Sequence, residues 1–155
     1  MKNLIITLII MITSVSVQAN QMSQEERRAL ISLLYLSSCA AYDHDFTKIS
    51  SEFDPKVTEF IDQKPDGAKR YYDRQTGAAI TLSETKCVVR LPHYSFKTII
   101  SRLPEMLSVK GGKLAMKPFT KTRYEGRLKS DSSNLLVIAV EELGKQPTVA
   151  VGMYK

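Results

Sequence analysis

Hydrophobic and polar positions divide the chain into a helical half and an alternating half. After a leading apolar run, Leu30, Ile31, Leu33, Leu34 and Leu36 crowd one segment at helical spacing. Ser23-Gln24-Glu25-Glu26 stands before it in capping-box order, so a helix is predicted from about Gln24 to Ala41. The apolar residues occupy most of its circumference, which predicts packing on more than one side. Phe46, Ile49 and Phe53 predict a short second helix ending before Pro55, and Val57, Phe60 and Ile61 a further turn or two of helix. Pro65-Asp66-Gly67 is a turn signal.

Beyond it the period becomes two. Short strands are predicted at Tyr71-Tyr72 and from Gly77 to Leu82, then from Cys87 to Leu91, where Cys87, Val89 and Leu91 share a face. Ser95 is placed to cap a helix with Phe96, Ile99, Ile100, Leu103 and Leu107 on one stripe, and Pro104 within it predicts a kink or an early end. Strands follow at Lys113 to Pro118, Thr122 to Lys129, Leu135 to Glu141 and Thr148 to Tyr154. The run Leu135 to Val140 is apolar at every position, the pattern of a central strand covered on both faces or nearly so. Helices, strands, a helix and more strands predict an α+β fold: an antiparallel sheet of about five to six strands, with N-terminal helices and one further helix packed on one face. No internal repeat or low-complexity tract is present.

The leading run is a different kind of element. Lys2, the apolar stretch Leu4 to Ile12 and the tripeptide Val17-Gln18-Ala19 have the layout of a secretory signal peptide cleaved after Ala19. The apolar stretch is shorter than the roughly 20 residues a membrane span needs. Residues 1–19 are therefore expected to leave, and 20–155 to form one α+β domain in the periplasm or outside the cell. In an oxidising compartment the two cysteines, Cys39 and Cys87, are expected to pair rather than remain free thiols. Cys39 lies in the last turn of the first helix and Cys87 on the core face of a strand. A bridge between them would staple helix to sheet, with Cα atoms within about 7 Å and a contribution of roughly 4 kcal/mol.

Charge changes the picture at one place. The net charge of +6 falls to +5 without Lys2. Lys110, Lys113, Lys117, Lys121, Arg123, Arg127 and Lys129 face a single acidic residue, Glu125, within twenty positions, so this segment holds the whole excess. Alternation puts Lys121, Arg123, Glu125, Arg127 and Lys129 on one face, and hairpin pairing would add Lys113 and Lys117. Two readings fit. One is a docking surface for an acidic protein, an anionic glycan or lipid headgroups. The other is the solvated side of a one-faced sheet whose lysines guard an edge. Nucleic acid is a poor third choice for an exported protein.

Other candidates carry bland explanations. Asp43-His44-Asp45 has metal-ligand chemistry, but adjacent side chains diverge and a closed site would need His93 or a remote carboxylate as well; a solvated turn and helix cap accounts for it. His93 and Ser95 have nucleophile-and-base chemistry, yet Ser95 is explained as a cap. No GxSxG, HExxH, phosphate-loop or dinucleotide motif occurs. Tyr71 and Tyr72 beside Lys69, Arg70 and Arg74 read as an aromatic and cationic patch or a strand edge.

Cys39, Gly67-Ala68, Gly77 through Leu82, Cys87-Val88-Val89 and the run Leu135 to Val140 carry a resemblance. The chain resembles a loose group of small exported bacterial proteins and lipoproteins with a cysteine late in the first helix and another opening a strand. It departs from the lipidated members in lacking a cysteine after its leader. The resemblance implies the disulfide and the α+β plan, and transfers no activity. The expected function is a non-enzymatic exported binding protein, an inhibitor or immunity-type protein docking through Lys113, Lys117, Lys121, Arg123, Arg127 and Lys129, with no cofactor. The alternatives are an envelope accessory factor that binds cell-wall polymer or an anionic membrane surface, and a hydrolase with an unfamiliar site.

Overall fold

The computed structural model describes residues 23–92, 94–108, 113–129, 134–144 and 148–155. The leader, His93 and Lys110 lie outside them. Helix α1 (Gln24–Ala41) and a 3-10 helix (Phe46–Glu52) precede four strands: β1 (Thr58–Gln63), β2 (Lys69–Asp73), β3 (Ala79–Leu82) and β4 (Lys86–Pro92). Helix α2 (Phe96–Ser108) then leads to β5 (Lys113–Thr120), β6 (Arg123–Lys129), β7 (Asn134–Glu142) and β8 (Thr148–Tyr154). Every pairing is antiparallel, and the order across the sheet is β1-β2-β3-β4-β8-β7-β6-β5. Each group of four strands is a meander running inward from an edge, and the two meet at β4 and β8. The order is therefore symmetric about that junction although the sequence shows no repeat.

The α+β class holds, with corrections. The sheet has eight strands rather than five or six. The helices are not mostly N-terminal either, because α2 sits between the two meanders. The segment around Val57, Phe60 and Ile61 is strand β1, not helix. Its register slips between Phe60 and Asp62. That bulge at Ile61 breaks the alternation and makes the apolar spacing look helical.

Both helices lie on one face. Leu33, Leu36, Cys39, Phe46 and Ile49 meet Ile80, Leu82, Val89, Leu91, Val137, Val149, Val151 and Met153 from the sheet, with Ile99, Leu103 and Leu107 of α2. Packing on more than one side of α1 does not occur among the described residues: Ile31 and Leu34 are 42% and 57% exposed. Helix α2 continues through Pro104 to Ser108. The stripe of Ile99, Leu103 and Leu107, each almost wholly buried, outweighs the one backbone hydrogen bond a proline deletes. Ser95 opens α2: its carbonyl accepts the Ile99 N–H and its Oγ the Thr98 N–H at 3.4 Å.

Two helices of about 10 Å diameter cannot cover a sheet roughly 35 Å wide, so aromatic rings finish the inner layer at both ends. Tyr35, Phe53, Tyr71 and Phe60 form a chain of edge-to-face contacts over β1 and β2. Phe96 does the same on Tyr124 at the other end. Beneath the first chain, Asp73 is fully buried and its carboxylate accepts from Gln75 N, Thr76 N and the Tyr35 hydroxyl at 2.8, 3.2 and 2.9 Å. This closes the β2–β3 turn, where Gly77 takes φ +75°, a conformation open to glycine at little cost. The same carboxylate ties α1 to the sheet.

Cys39 and Cys87 are disulfide-bonded, with Cα atoms 6.2 Å apart and both residues wholly buried. Cys87 shares the inner face of β4 with Val89 and Leu91, and the bond joins the last turn of α1 to the middle of the sheet. No helix among the described residues is long and apolar enough to cross a membrane.

Candidate functional site

Among the described residues no helix covers the sheet face turned away from α1 and α2, and its register can be followed across all eight strands. One row runs Lys113, Lys129, Asn134; the next runs Ala115, Arg127, Leu136, Tyr154, Lys86; a third runs Lys117, Glu125, Ile138, Gly152, Val88, Thr81, Arg70, Asp62. The two strand pairs therefore bring Lys113, Lys117, Arg123, Arg127 and Lys129 onto one face. Lys121 is placed elsewhere: it lies in the two-residue turn between β5 and β6, exposed at the hairpin tip. The strand begins at Arg123 rather than Thr122, because Thr120 already pairs with Arg123.

The middle of this face is apolar. Leu136, Ile138 and Val140 are half-buried, so the run Leu135 to Val140 is covered fully on its inner side only. Val88 and Ala150 are 8% exposed. Tyr154 folds its ring over Gly152, where an added Cβ would lie 2.6 Å from the ring.

Ion pairing separates the two ends of the face. Towards β1, Arg70 makes a bidentate pair with Asp62, Arg74 meets Glu59 at 2.8 Å, and Lys86 meets Asp66 at 3.1 Å. The Arg70 guanidinium holds the Asp62 carboxyl below its ordinary range, and Asp66 is held low by the Ala68 N–H and then by Lys86. In the middle, Arg90 pairs with Glu142 at 3.3 Å. Arg123 pairs with Glu125 at 2.5 Å and lies 5.1 Å over the Phe119 ring. The bulge between Pro118 and Thr120 aims Phe119 outwards at 67% exposure.

The remaining cations have no such partners. Among the described residues, no ion pair involves Lys113, Lys117, Arg127 or Lys129. Lys117 stands opposite Glu125 in register, but that carboxylate is taken by Arg123. These four residues, with Ala115, Phe119 and Leu136, line a shallow concavity of about 710 Å³. Ala115 and Leu136 give it an apolar floor, and the four cations stand around it together with Glu125, the one acidic residue of the lining. Glu125 stands two residues from both Arg123 and Arg127 in the sequence, and the structure gives it to Arg123. The apolar floor comes from the half-buried outer residues of β7, a strand expected to be covered on both faces or nearly so.

The other candidates take structural roles. Asp45 caps the 3-10 helix, accepting from Thr47 N at 2.9 Å and Thr47 Oγ1 at 2.6 Å, and these bonds lower its pKa. His44 is exposed, with Nδ1 3.5 Å from Asp43, and its carbonyl accepts from Lys155 Nζ. Among the described residues no three His, Cys, Asp or Glu side chains are grouped to hold a metal ion. Comparison with protein-family models, curated proteins and solved structures finds no match to this chain.

Proposed function

We infer that the protein is an exported binding protein whose open sheet face, at the β5–β6 end, docks an acidic protein of the cell envelope. One observation carries this reading: among the described residues, cations at the rest of the face are neutralised by carboxylates, whereas Lys113, Lys117, Arg127 and Lys129 are not. Edge protection accounts for Lys113, Lys117 and Pro118 on β5. It does not account for Arg127 and Lys129, which belong to β6, a strand paired on both sides. A disulfide-stapled sheet with an apolar floor beside charged residues has the layout of an interface core and its surround. An inhibitor or immunity-type role, neutralising a toxin or hydrolase in the envelope, fits the size and the rigidity.

Capture from an envelope extract tests this. Wild-type protein should recover an acidic partner, in a salt-sensitive manner, that Arg127→Glu/Lys129→Glu loses without any fall in thermal stability. Equal recovery by both proteins sinks the docking claim. A second reading is favoured by Phe119, exposed beside Lys117 at the hairpin tip: an anchor on an anionic polymer or membrane surface. Salt-sensitive sedimentation with peptidoglycan or anionic vesicles, without a protein partner, would select it.

A further inference from the structure

The unpaired cations are not merely near one another; the register forces two of them together. Lys113 is directly opposite Lys129 across the β5–β6 ladder, and like charges in that position oppose pairing. Arg127, the next residue on the same face of β6, is diagonal to Lys113. Three cations thus stand about 5 Å apart across the strands and about 7 Å apart along them. Opposite Arg127 are Ala115 on one side and Leu136 on the other, a low apolar step between two charged rows.

We propose that Lys113, Lys129 and Arg127 form a subsite for the carboxylates of an extended acidic polypeptide segment. This rests on the reading that the open face docks an acidic protein, and specifies how. In an extended strand, side chains at alternate residues share one side and repeat at about 7 Å, the same interval as Lys129 to Arg127. A segment with acidic residues at alternate positions places one carboxylate between Lys113 and Lys129 and the next on the Arg127 fork, which pairs with carboxylates bidentately. The small Ala115 leaves room for the segment to approach. Binding then relieves a repulsion that the free protein carries. A single phosphate would need donors converging within its own radius, and this flat array spreads them too far apart.

The test separates stability from binding. Lys113→Glu turns a like-charged pair into an opposite one, so it should raise the Tm by about 2 °C. The same change should weaken binding of the peptide acetyl-Glu-Thr-Glu-Thr-Glu-amide, measured by calorimetry at low salt, by about tenfold or more. Lys129→Glu should act alike on both readouts, and the Gln-for-Glu peptide should not bind wild type. A Lys113→Glu protein that is less stable than wild type, or that binds the acidic peptide equally well, overturns the subsite. If wild type ignores the peptide and binds tripolyphosphate or phosphatidylglycerol vesicles, the polypeptide assignment is wrong. If it ignores the peptide while envelope capture still depends on Arg127 and Lys129, the subsite falls and the docking reading stands.

Discussion

Breaking the Cys39–Cys87 bond gives a loss of stability whose size follows from the structure. The bond spans 48 positions, and closing a loop of that length in the unfolded chain contributes about 4 kcal/mol at 25 °C in the chain-entropy treatment. A domain of this size is stable by roughly 5–15 kcal/mol, so the bond holds a large share. With a urea slope of about 2 kcal/mol/M, the unfolding midpoint should fall by about 2 M when the bond is reduced. Both cysteines are wholly buried, so reductant reaches them mainly through opened molecules, and equilibrium must be approached from the unfolded side. The assay is urea unfolding of reduced, alkylation-free protein against oxidised protein, followed by far-UV circular dichroism. A midpoint shift under about 0.5 M would refute the reasoning. It would mean that Leu33, Leu36 and their sheet contacts hold α1 without the staple.

The remaining predictions concern the inner network and the site's backbone. Tyr35→Phe removes a hydroxyl bonded to the buried Asp73 carboxylate at 2.9 Å and should cost about 2 kcal/mol in urea unfolding. Burial first, with the Asp73 contact adding to it, pushes the Tyr35 phenol up to about 12. Its folded pKa is therefore above the unfolded value, and the associated stability, complete below pH 10, is lost as pH rises from about 10 to 12. Spectrophotometric titration of Tyr35→Phe should lack a phenol that ionises at about pH 12 in wild type. Gly126→Ala would set a Cβ 2.6 Å from the Ala115 carbonyl oxygen and 2.8 Å from Met116 Sδ. It should push β5 from β6, lower stability by about 2 kcal/mol and weaken docking, read by thermal melting and by capture.

Local packing was legible in the sequence and long-range pairing was not. The stripe Phe96, Ile99, Leu103, Leu107 and the shared face of Cys87, Val89 and Leu91 are set by neighbours a few residues away, so their spacing reported their burial. Strand β1 escaped because the bulge at Ile61 and the edge packing of Phe60 on Tyr71 erased its alternation. The junction of β4 with β8 joins residues about sixty positions apart, and no local pattern encodes it. At the site, alternation correctly grouped Arg123, Arg127 and Lys129, and hairpin pairing added Lys113 and Lys117. What it missed was which charges are spent: Arg123 is tied to Glu125 and Phe119, leaving Arg127 and Lys129 as the better probes.

The claim that the β5–β6 corner of the open face receives the partner is tested most directly in cells producing the protein. A photo-crosslinking amino acid at Ala115, exposed on the floor of the concavity, is compared with one at Ser101, exposed on α2 in the opposite layer. The account predicts an adduct from position 115 that Arg127→Glu abolishes, and none from position 101. Adducts from 101 alone, or from both positions regardless of Arg127, would contradict it.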